Sequence, residues 1–300
     1  MAKTIKNKLS DSNNTISKGG RAERYWVSRT VKPSPAYEQN KQTEFIDQFA
    51  IIAQYKLKGF EYGNWVNNND RNDRLTATAE SMRELAIILG TKNVGCDNTI
   101  GIAFGARGHS KALAHFEPNT FMINLTKEHG FGSLAHEYGH ALDYFFGMHI
   151  DQHPQYTSLV GGRTTMQHLE IANGDQLRKL ANDLINAVIR DEKGESASYK
   201  EWRSRVGSNE YWFRRNEIFA RVFEQWVRAQ LSKKGITNTF LSKKKYDGGV
   251  YLTIADFKRV SPLMDKLIKE MAAFMNNKKV VKITAKPKLR IAAKRMSLKK

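Results

Sequence analysis

Residues 134–143 read LAHEYGHALD, and the string H-E-x-x-H from His136 to His140 decides how this chain is interpreted. In a helix, residues four apart lie on one face, so the two imidazoles of this string are neighbours. Two histidines so placed can bind one zinc ion, while Glu137 between them acts on the water that the metal activates. The string therefore predicts a zinc site of the hydrolytic type.

The residues around this string favour a helix. Ser133 is a good N-cap residue, and apolar residues then recur at helical spacing as far as Gly147, where we expect the helix to end. No proline interrupts the run. The alternative that the sequence leaves open is a core helix whose two histidines only form hydrogen bonds.

A catalytic zinc needs a third protein ligand and an open position for water. Metzincins place a glycine three residues and a ligand six residues after the second histidine, where this chain has Asp143 and Phe146. That class is therefore excluded, and the remaining common solution is a glutamate on a separate helix. His153 and His168 are less favoured as ligands, because a lone histidine is usually a polar loop residue.

Residues 211–227 supply such a helix, because their apolar residues follow a period of 3.6. Glu217, Arg221 and Glu224 stand at positions i, i+4 and i+7 and share the other stripe of this helix. We predict that Glu217 is the third zinc ligand, and Glu224 is the alternative. A solvent-exposed ladder of these charged side chains is the competing interpretation.

The expected site predicts a mechanism for hydrolysis of a peptide bond. Zinc lowers the pKa of its water, and Glu137 accepts the proton and returns it to the leaving amine. A further donor to the oxyanion is usually needed, and Tyr211, Arg221 or His168 could supply it. Asp143 lies on the metal-binding face of the helix and is predicted to orient a ligand imidazole.

Several ordered stretches resemble a metallopeptidase-like domain of the large polyvalent proteins that bacteriophages and conjugative elements encode. They are residues 60–66 (FEYGNWV), 100–108, 114–118, 123–127, 132–143, 216–224 (NEIFARVFE), 251–252 and 260–265. The resemblance extends over roughly residues 42–270. It implies a gluzincin-like zinc peptidase, with H-E-x-x-H plus a glutamate, in a protein delivered with or encoded on mobile DNA.

Composition sets outer limits on the fold and the location. Three hundred residues with 40% hydrophobic content can bury one good core, and no apolar run approaches the length needed to cross a bilayer. The first ten residues have no apolar signal core, and the single cysteine, Cys96, fits a reducing compartment. With the resemblance, this predicts the bacterial host cytoplasm or a phage virion as the location, and no membrane partner.

The net charge of +19 is concentrated at the two ends of the chain. Residues 276–300 contain ten lysines and arginines and no acidic residue, and residues 1–40 are also basic. Such segments typically neutralise phosphates, so we expect non-specific contact with nucleic acid or, alternatively, with an acidic protein partner. The competing function is thus a basic virion-packaged or DNA-associated protein that retains a peptidase fold beside phage capsid proteins.

The predicted organisation is an N-terminal arm over residues 1–40, a zincin-like domain over 41–275 and a tail over 276–300. We expect an α+β fold that is mostly helical, with a short antiparallel meander over residues 98–126 before the zinc helix. Pro262 should break the last helix or start a new one. The other predicted helices cover residues 43–55, 74–89, 176–190, 198–206, 211–231 and 254–275.

Overall fold

The structure, a computed structural model, is mostly helical with a small sheet. It describes residues 37–40, 47–63, 68–106, 114–126, 130–151, 158–164, 175–246 and 249–277. Most of both predicted arms, as well as His153 and His168, lies outside these residues. No helix in the described ranges is long and apolar enough to cross a membrane.

Seven helices and a four-stranded sheet make up the described fold. The helices are α1 (Gln48–Tyr55), α2 (Asn68–Leu89), α3 (Leu134–Asp151), α4 (Gln176–Ile189), α5 (Ala197–Val206), α6 (Arg215–Lys233) and α7 (Ile254–Asn276). The strands are β1 (Phe60–Tyr62), β2 (Gly101–Phe104), β3 (Ala114–Glu117) and β4 (Met122–Leu125), and a small hairpin is formed by β5 (Arg190–Asp191) and β6 (Gly194–Glu195).

The sheet is mixed, so the prediction of an antiparallel meander is wrong. Its strand order is β1-β2-β4-β3, with β1 parallel to β2, β2 parallel to β4, and only β3 antiparallel to β4. The β3–β4 hairpin forms as expected, but β2 pairs with the other edge of β4 in the same direction. Both β2 and β4 are buried throughout, which is typical of parallel strands.

Helix α2 begins at Asn68, six residues before the predicted start. Two further differences from prediction, at Gly147 and Pro262, have local physical reasons. Helix α3 continues past Gly147 to Asp151, because Gly147 is buried inside the helix and does not form a left-handed cap. Pro262 lies within an unbroken α7. Both Pro262 and Lys258, whose carbonyl the proline ring leaves without a helical donor, are exposed, so solvent satisfies that carbonyl.

Helices α3 and α6 pack against each other and hold the region of the H-E-x-x-H string. The close approach occurs at Gly139, where an added Cβ atom would lie 3.2 Å from the Cα atom of Ala220 and from the ring of Phe223. A methyl group at this position would force the two helices to shift by a few tenths of an ångström. With glycine there, the face of α3 that carries both histidines lies directly beside the first turns of α6.

The loop that contains residues 238–241 anchors the beginning of α3. The backbone N–H groups of Gly132 and Ala135 donate to the carbonyl oxygens of Phe240 and Leu241, at 3.0 and 2.9 Å. That loop is itself held by Asn238, whose amide donates to the carboxylate of Glu84 on α2 at 2.7 Å. The N-terminus of α3 is therefore fixed from outside the helix.

Candidate metal centre

Three side chains from two helices converge at the junction of α3 and α6. Nε2 of His136 lies 3.5 Å from Oε2 of Glu217, and Nε2 of His140 lies 3.5 Å from Oε1 of the same carboxylate. One ligand atom from each of the three residues lies within 4.8 Å of the others. The sequence-predicted ligand set is thus brought together at one place.

The spacing of these atoms suits a tetrahedral cation. Two ligand atoms that each lie about 2.1 Å from a tetrahedral zinc ion are separated by about 3.4 Å. The two nitrogen–oxygen distances of 3.5 Å, each to a different oxygen of Glu217, are close to this separation. Two histidines and one carboxylate leave a fourth position, so the residues present fit a catalytic type of site.

The carboxylate of Glu217 keeps its charge despite its burial. Burial would raise the pKa of Glu217, but hydrogen bonds with His136 and His140 and their positive charge hold it well below its usual range. An ionised carboxylate is the form that binds a divalent cation. Glu217 therefore has the charge state that a ligand needs.

A second carboxylate, that of Glu224, orients His136 through the ring nitrogen that faces away from Glu217. Oε2 of Glu224 lies 2.8 Å from Nδ1 of His136, and the hydroxyl of Tyr251 donates to Oε1 of Glu224 at 2.6 Å. The first contact fixes the proton on Nδ1, which leaves Nε2 free to bind a metal. Burial alone would lower the pKa of His136, but its hydrogen bonds with Glu217 and Glu224 raise it to about 10, so a metal ion would displace the proton from Nε2 when it binds.

His140 has no such support among the described residues. Its Nδ1 atom is buried and has no hydrogen-bond partner there. Asp143, which the sequence suggested as the orienting carboxylate, accepts hydrogen bonds from the hydroxyl of Ser158 at 2.7 Å and from the backbone of Val160 at 3.0 Å. Burial raises the pKa of Asp143 to about 6, against the effect of these hydrogen bonds.

The loop that Asp143 holds, within residues 158–164, also contacts the start of α6. Helix α6 begins without a side-chain cap. Instead, the backbone N–H groups of Arg215 and Asn216 donate to the carbonyl oxygens of Thr164 and Gly162, both at 3.0 Å. These contacts satisfy free donors of the first turn. They also set the position of Glu217, which follows directly.

Glu137 and Tyr211 lie on the same side of the centre. Glu137 is 7% exposed, and its charge contributes to the raised pKa values of His136 and Tyr211. Tyr211 belongs to a 3-10 turn, Glu210–Phe213, and is 41% exposed. Burial raises the pKa of Tyr211, as do the charge of Glu217 and a hydrogen bond to its carboxylate.

Arg221 is enclosed rather than open to a ligand. It is 2% exposed, and its guanidinium carbon lies 4.9 Å from the ring centre of Trp202 and 5.6 Å from that of Trp212. One Nη atom donates to the carbonyl oxygen of Trp212. Arg221 therefore holds the turn that carries Tyr211 against α6.

The sequence did not indicate the roles of Glu224 and Tyr251. Glu224 shares a helical stripe with Glu217, and this signal identified it only as an alternative ligand. Tyr251 lies 27 residues further along the chain, outside any helix or strand. No periodicity indicated that its hydroxyl would reach Glu224.

Comparison with known proteins gives one partial match. The model of the family described as Large polyvalent protein-associated domain 1 matches residues 204–274, which include Glu217, Glu224 and Tyr251. No curated protein matches the chain, and no solved structure matches it either. The family match supports the link to phage-type polyvalent proteins, and it does not include His136 or His140.

Proposed function

We propose that this chain is a zinc-dependent peptidase of the phage or mobile-element type. In this proposal His136, His140 and Glu217 bind zinc, Glu137 is the general base, and the fold is zincin-like. The single observation that supports it best is the convergence of three ligand atoms from α3 and α6, which lie within 4.8 Å of one another. The polyvalent-protein match supports the phage or mobile-element origin.

Each neighbouring side chain has a separate task in the reaction. A bound zinc ion would polarise the scissile carbonyl and lower the pKa of water. Glu137 takes a proton from the attacking water and gives it to the leaving nitrogen, so that an amine departs as the C–N bond breaks. Tyr211 is the group that we assign to hydrogen bonding with the developing oxyanion, because it is partly exposed beside Glu217.

The proposal also includes a location and a set of partners. We assign the protein to the bacterial host cytoplasm or the virion, with a peptide or protein as substrate. The basic residues in 1–40 and 276–300 support non-specific contact with nucleic acid, and we propose phage capsid proteins as further neighbours.

A second candidate function is favoured by the same charge. A net charge of +19 suits a virion-packaged or DNA-associated protein whose peptidase fold serves mainly as structure. The intact set of Glu137 and the three predicted ligands favours the enzyme. A site without function would tend to lose one of these side chains.

Metal analysis of the purified full chain tests the assignment. We expect about one zinc ion per chain in the unmodified protein and in Glu137→Gln, and clearly less in Glu217→Ala. Glu201→Ala is the matched control, because Glu201 pairs with Arg205 on the surface of α5. Zinc content that stays unchanged in Glu217→Ala contradicts the ligand assignment.

Proteolysis of an unfolded protein substrate tests the chemistry separately. The unmodified chain should cleave it, and Glu137→Gln should bind zinc but be inactive, because a glutamine cannot accept the proton. Cleavage that survives in Glu137→Gln contradicts the role of general base. A chain that binds zinc but cleaves nothing favours the second candidate function.

A further inference from the structure

We propose that Tyr251 is a positioning residue of the metal centre, which acts through Glu224 to fix the orientation of His136. The inference rests on the proposed function, because it requires His136 to bind the metal. Tyr251 does not contact a metal or a substrate in this role. It determines how firmly one ligand is held.

The carboxylate of Glu224 uses both oxygens in this arrangement. Oε2 lies 2.8 Å from Nδ1 of His136, and Oε1 accepts the hydroxyl of Tyr251 at 2.6 Å. The residue is only 2% exposed, so water does not replace either partner easily. A buried carboxylate with a donor at each oxygen cannot rotate without losing a charge-assisted hydrogen bond.

Two neighbouring side chains, those of Lys243 and Tyr246, hold Tyr251 in place. Nζ of Lys243 donates to the hydroxyl of Tyr251 at 3.0 Å and lies 5.2 Å from the centre of its ring. The ring of Tyr246 packs against that of Tyr251 with 4.6 Å between their centres. The phenol therefore accepts from an exposed cation and donates to a buried carboxylate, and donation by the lysine strengthens the second bond.

The backbone around Tyr251 is anchored at both ends. Its carbonyl oxygen accepts the indole N–H of Trp202 at 3.0 Å. The next residue, Leu252, exchanges two hydrogen bonds with the side chain of Gln225 on α6, at 2.9 and 3.2 Å. Gln225 directly follows Glu224. The segment is thus fixed to the same turn of α6 that carries the carboxylate.

Removal of this phenol should weaken the hold on His136. In Tyr251→Phe, the ring packing is retained but Oε1 of Glu224 loses its donor, so the carboxylate is free to turn away from the imidazole. Changes to groups that orient a metal-binding histidine typically weaken metal affinity by about 10- to 100-fold. Because Tyr251 acts one step further away, we expect about a tenfold increase in the zinc Kd.

The matched control is a second tyrosine in the same segment. Tyr246 packs on Tyr251, but its hydroxyl accepts from the backbone N–H of Lys243, whereas the hydroxyl of Tyr251 donates to Glu224. Zinc Kd values are measured on the full chain by competition with a chromophoric chelator. Tyr246→Phe should remain within about twofold of the unmodified protein, because the loss of one exposed hydrogen bond is small.

A spectroscopic measurement separates positioning from general stability. The Nδ1 proton of His136, held by Glu224, should give a downfield proton resonance that shifts or broadens in Tyr251→Phe and stays in Tyr246→Phe. Thermal unfolding in chelator should show that both variants are folded at the temperature of the zinc measurement, with Tyr251→Phe the less stable because a buried carboxylate oxygen loses its donor. Equal weakening of zinc binding in both variants, or an unchanged resonance in Tyr251→Phe, overturns the inference.

A surface variant tests the same connection without altering the buried ring. Lys243→Met should raise the zinc Kd by about twofold, whereas Lys245→Met, an exposed neighbour, should not change it. If these two variants bind zinc equally, the hydrogen bond from Lys243 to Tyr251 does not affect the metal centre. If the unmodified chain binds no zinc, the proposed function itself fails, whereas normal binding in Tyr251→Phe removes only this inference.

Discussion

His136 and His140 come from the same face of one helix, yet their surroundings differ. Nδ1 of His136 contacts the Glu224 carboxylate, whereas Nδ1 of His140 is buried without a hydrogen-bond partner among the described residues. The carboxylate that follows His140 by three residues on α3, that of Asp143, holds a loop instead. His136 is therefore oriented by a hydrogen bond, whereas His140 is oriented by packing.

The largest expected effect on stability comes from removal of the Asp143 carboxylate, which holds a loop and does not orient a ligand. In Asp143→Ala, the buried hydroxyl of Ser158 and the N–H of Val160 lose their acceptor, so the free energy of unfolding should fall by about 3 kcal/mol. Urea unfolding of the metal-free chain measures this fall. Asp183→Ala, at an exposed position of α4, is the control.

The zinc affinity of Asp143→Ala then tests the comparison directly. Measured at a temperature where the variant is folded, its zinc Kd should rise less than that of Glu224→Ala, because Asp143 contacts neither imidazole and acts on Glu217 only through the loop that it holds. A loss as large as that caused by removing Glu224 would mean that Asp143 supports His140 after all.

Glu224→Ala should mainly weaken zinc binding, in contrast to Asp143→Ala. His136 loses the carboxylate that orients it, so the zinc Kd should rise by about 10- to 100-fold, which corresponds to about 1.4–2.7 kcal/mol. Competition with a chelator measures this change. Glu224→Gln should recover part of the affinity, since its amide oxygen can still accept from Nδ1. Full affinity in Glu224→Ala would show that packing alone orients both histidines.

Gly139→Ala should disturb both histidines together. The new methyl group would lie 3.2 Å from the Cα atom of Ala220, and backbone cannot move aside cheaply. Overpacking costs about 1–3 kcal/mol, and the better helix propensity of alanine returns up to about 1 kcal/mol. We expect a net loss of about 1 kcal/mol in urea unfolding, together with weaker zinc binding. Unchanged values for both would mean that the two helices separate without cost.

How far the sequence predicted the site depends on whether the signal was local. The helix around His136 and His140 was predictable, since spacing four apart and helical apolar periodicity are local properties. The partner helix with Glu217 was predictable as an element for the same reason. The sequence also favoured Glu217 over Glu224 as the carboxylate that joins the two histidines. The contact of Glu224 with Nδ1 of His136 was not predictable, because it depends on the rotation of α6 about its own axis against α3.

Long-range pairing explains the remaining differences. Strands β2 and β4 were recognised as apolar segments, but alternation along a strand does not identify its neighbour or the direction of pairing. Their parallel pairing, and the addition of β1 at the edge, arise from contacts between distant segments. The position of Tyr251 beside Glu224 belongs to the same category, because it results from chain packing rather than from any repeat.

The smallest predicted effect concerns pH and the N-terminal end of α3. Burial raises the pKa of Glu84 to about 7, against the hydrogen bond from Asn238. A carboxyl whose pKa is higher in the folded state keeps its proton there, so the folded state loses stability as pH rises from about 4.5 towards 7. Glu84→Gln should remove this loss, and should be more stable than the unmodified chain by on the order of 1 kcal/mol at pH 7.5 relative to pH 5.5.

Urea unfolding of both proteins at the two pH values measures the difference between their slopes. Asp143, with its pKa raised to about 6, also makes the folded state less stable as pH rises, but it does so equally in both proteins. The difference therefore isolates Glu84. Identical slopes would mean that Glu84 is ionised throughout, with its charge balanced inside the network that anchors α3 near His136.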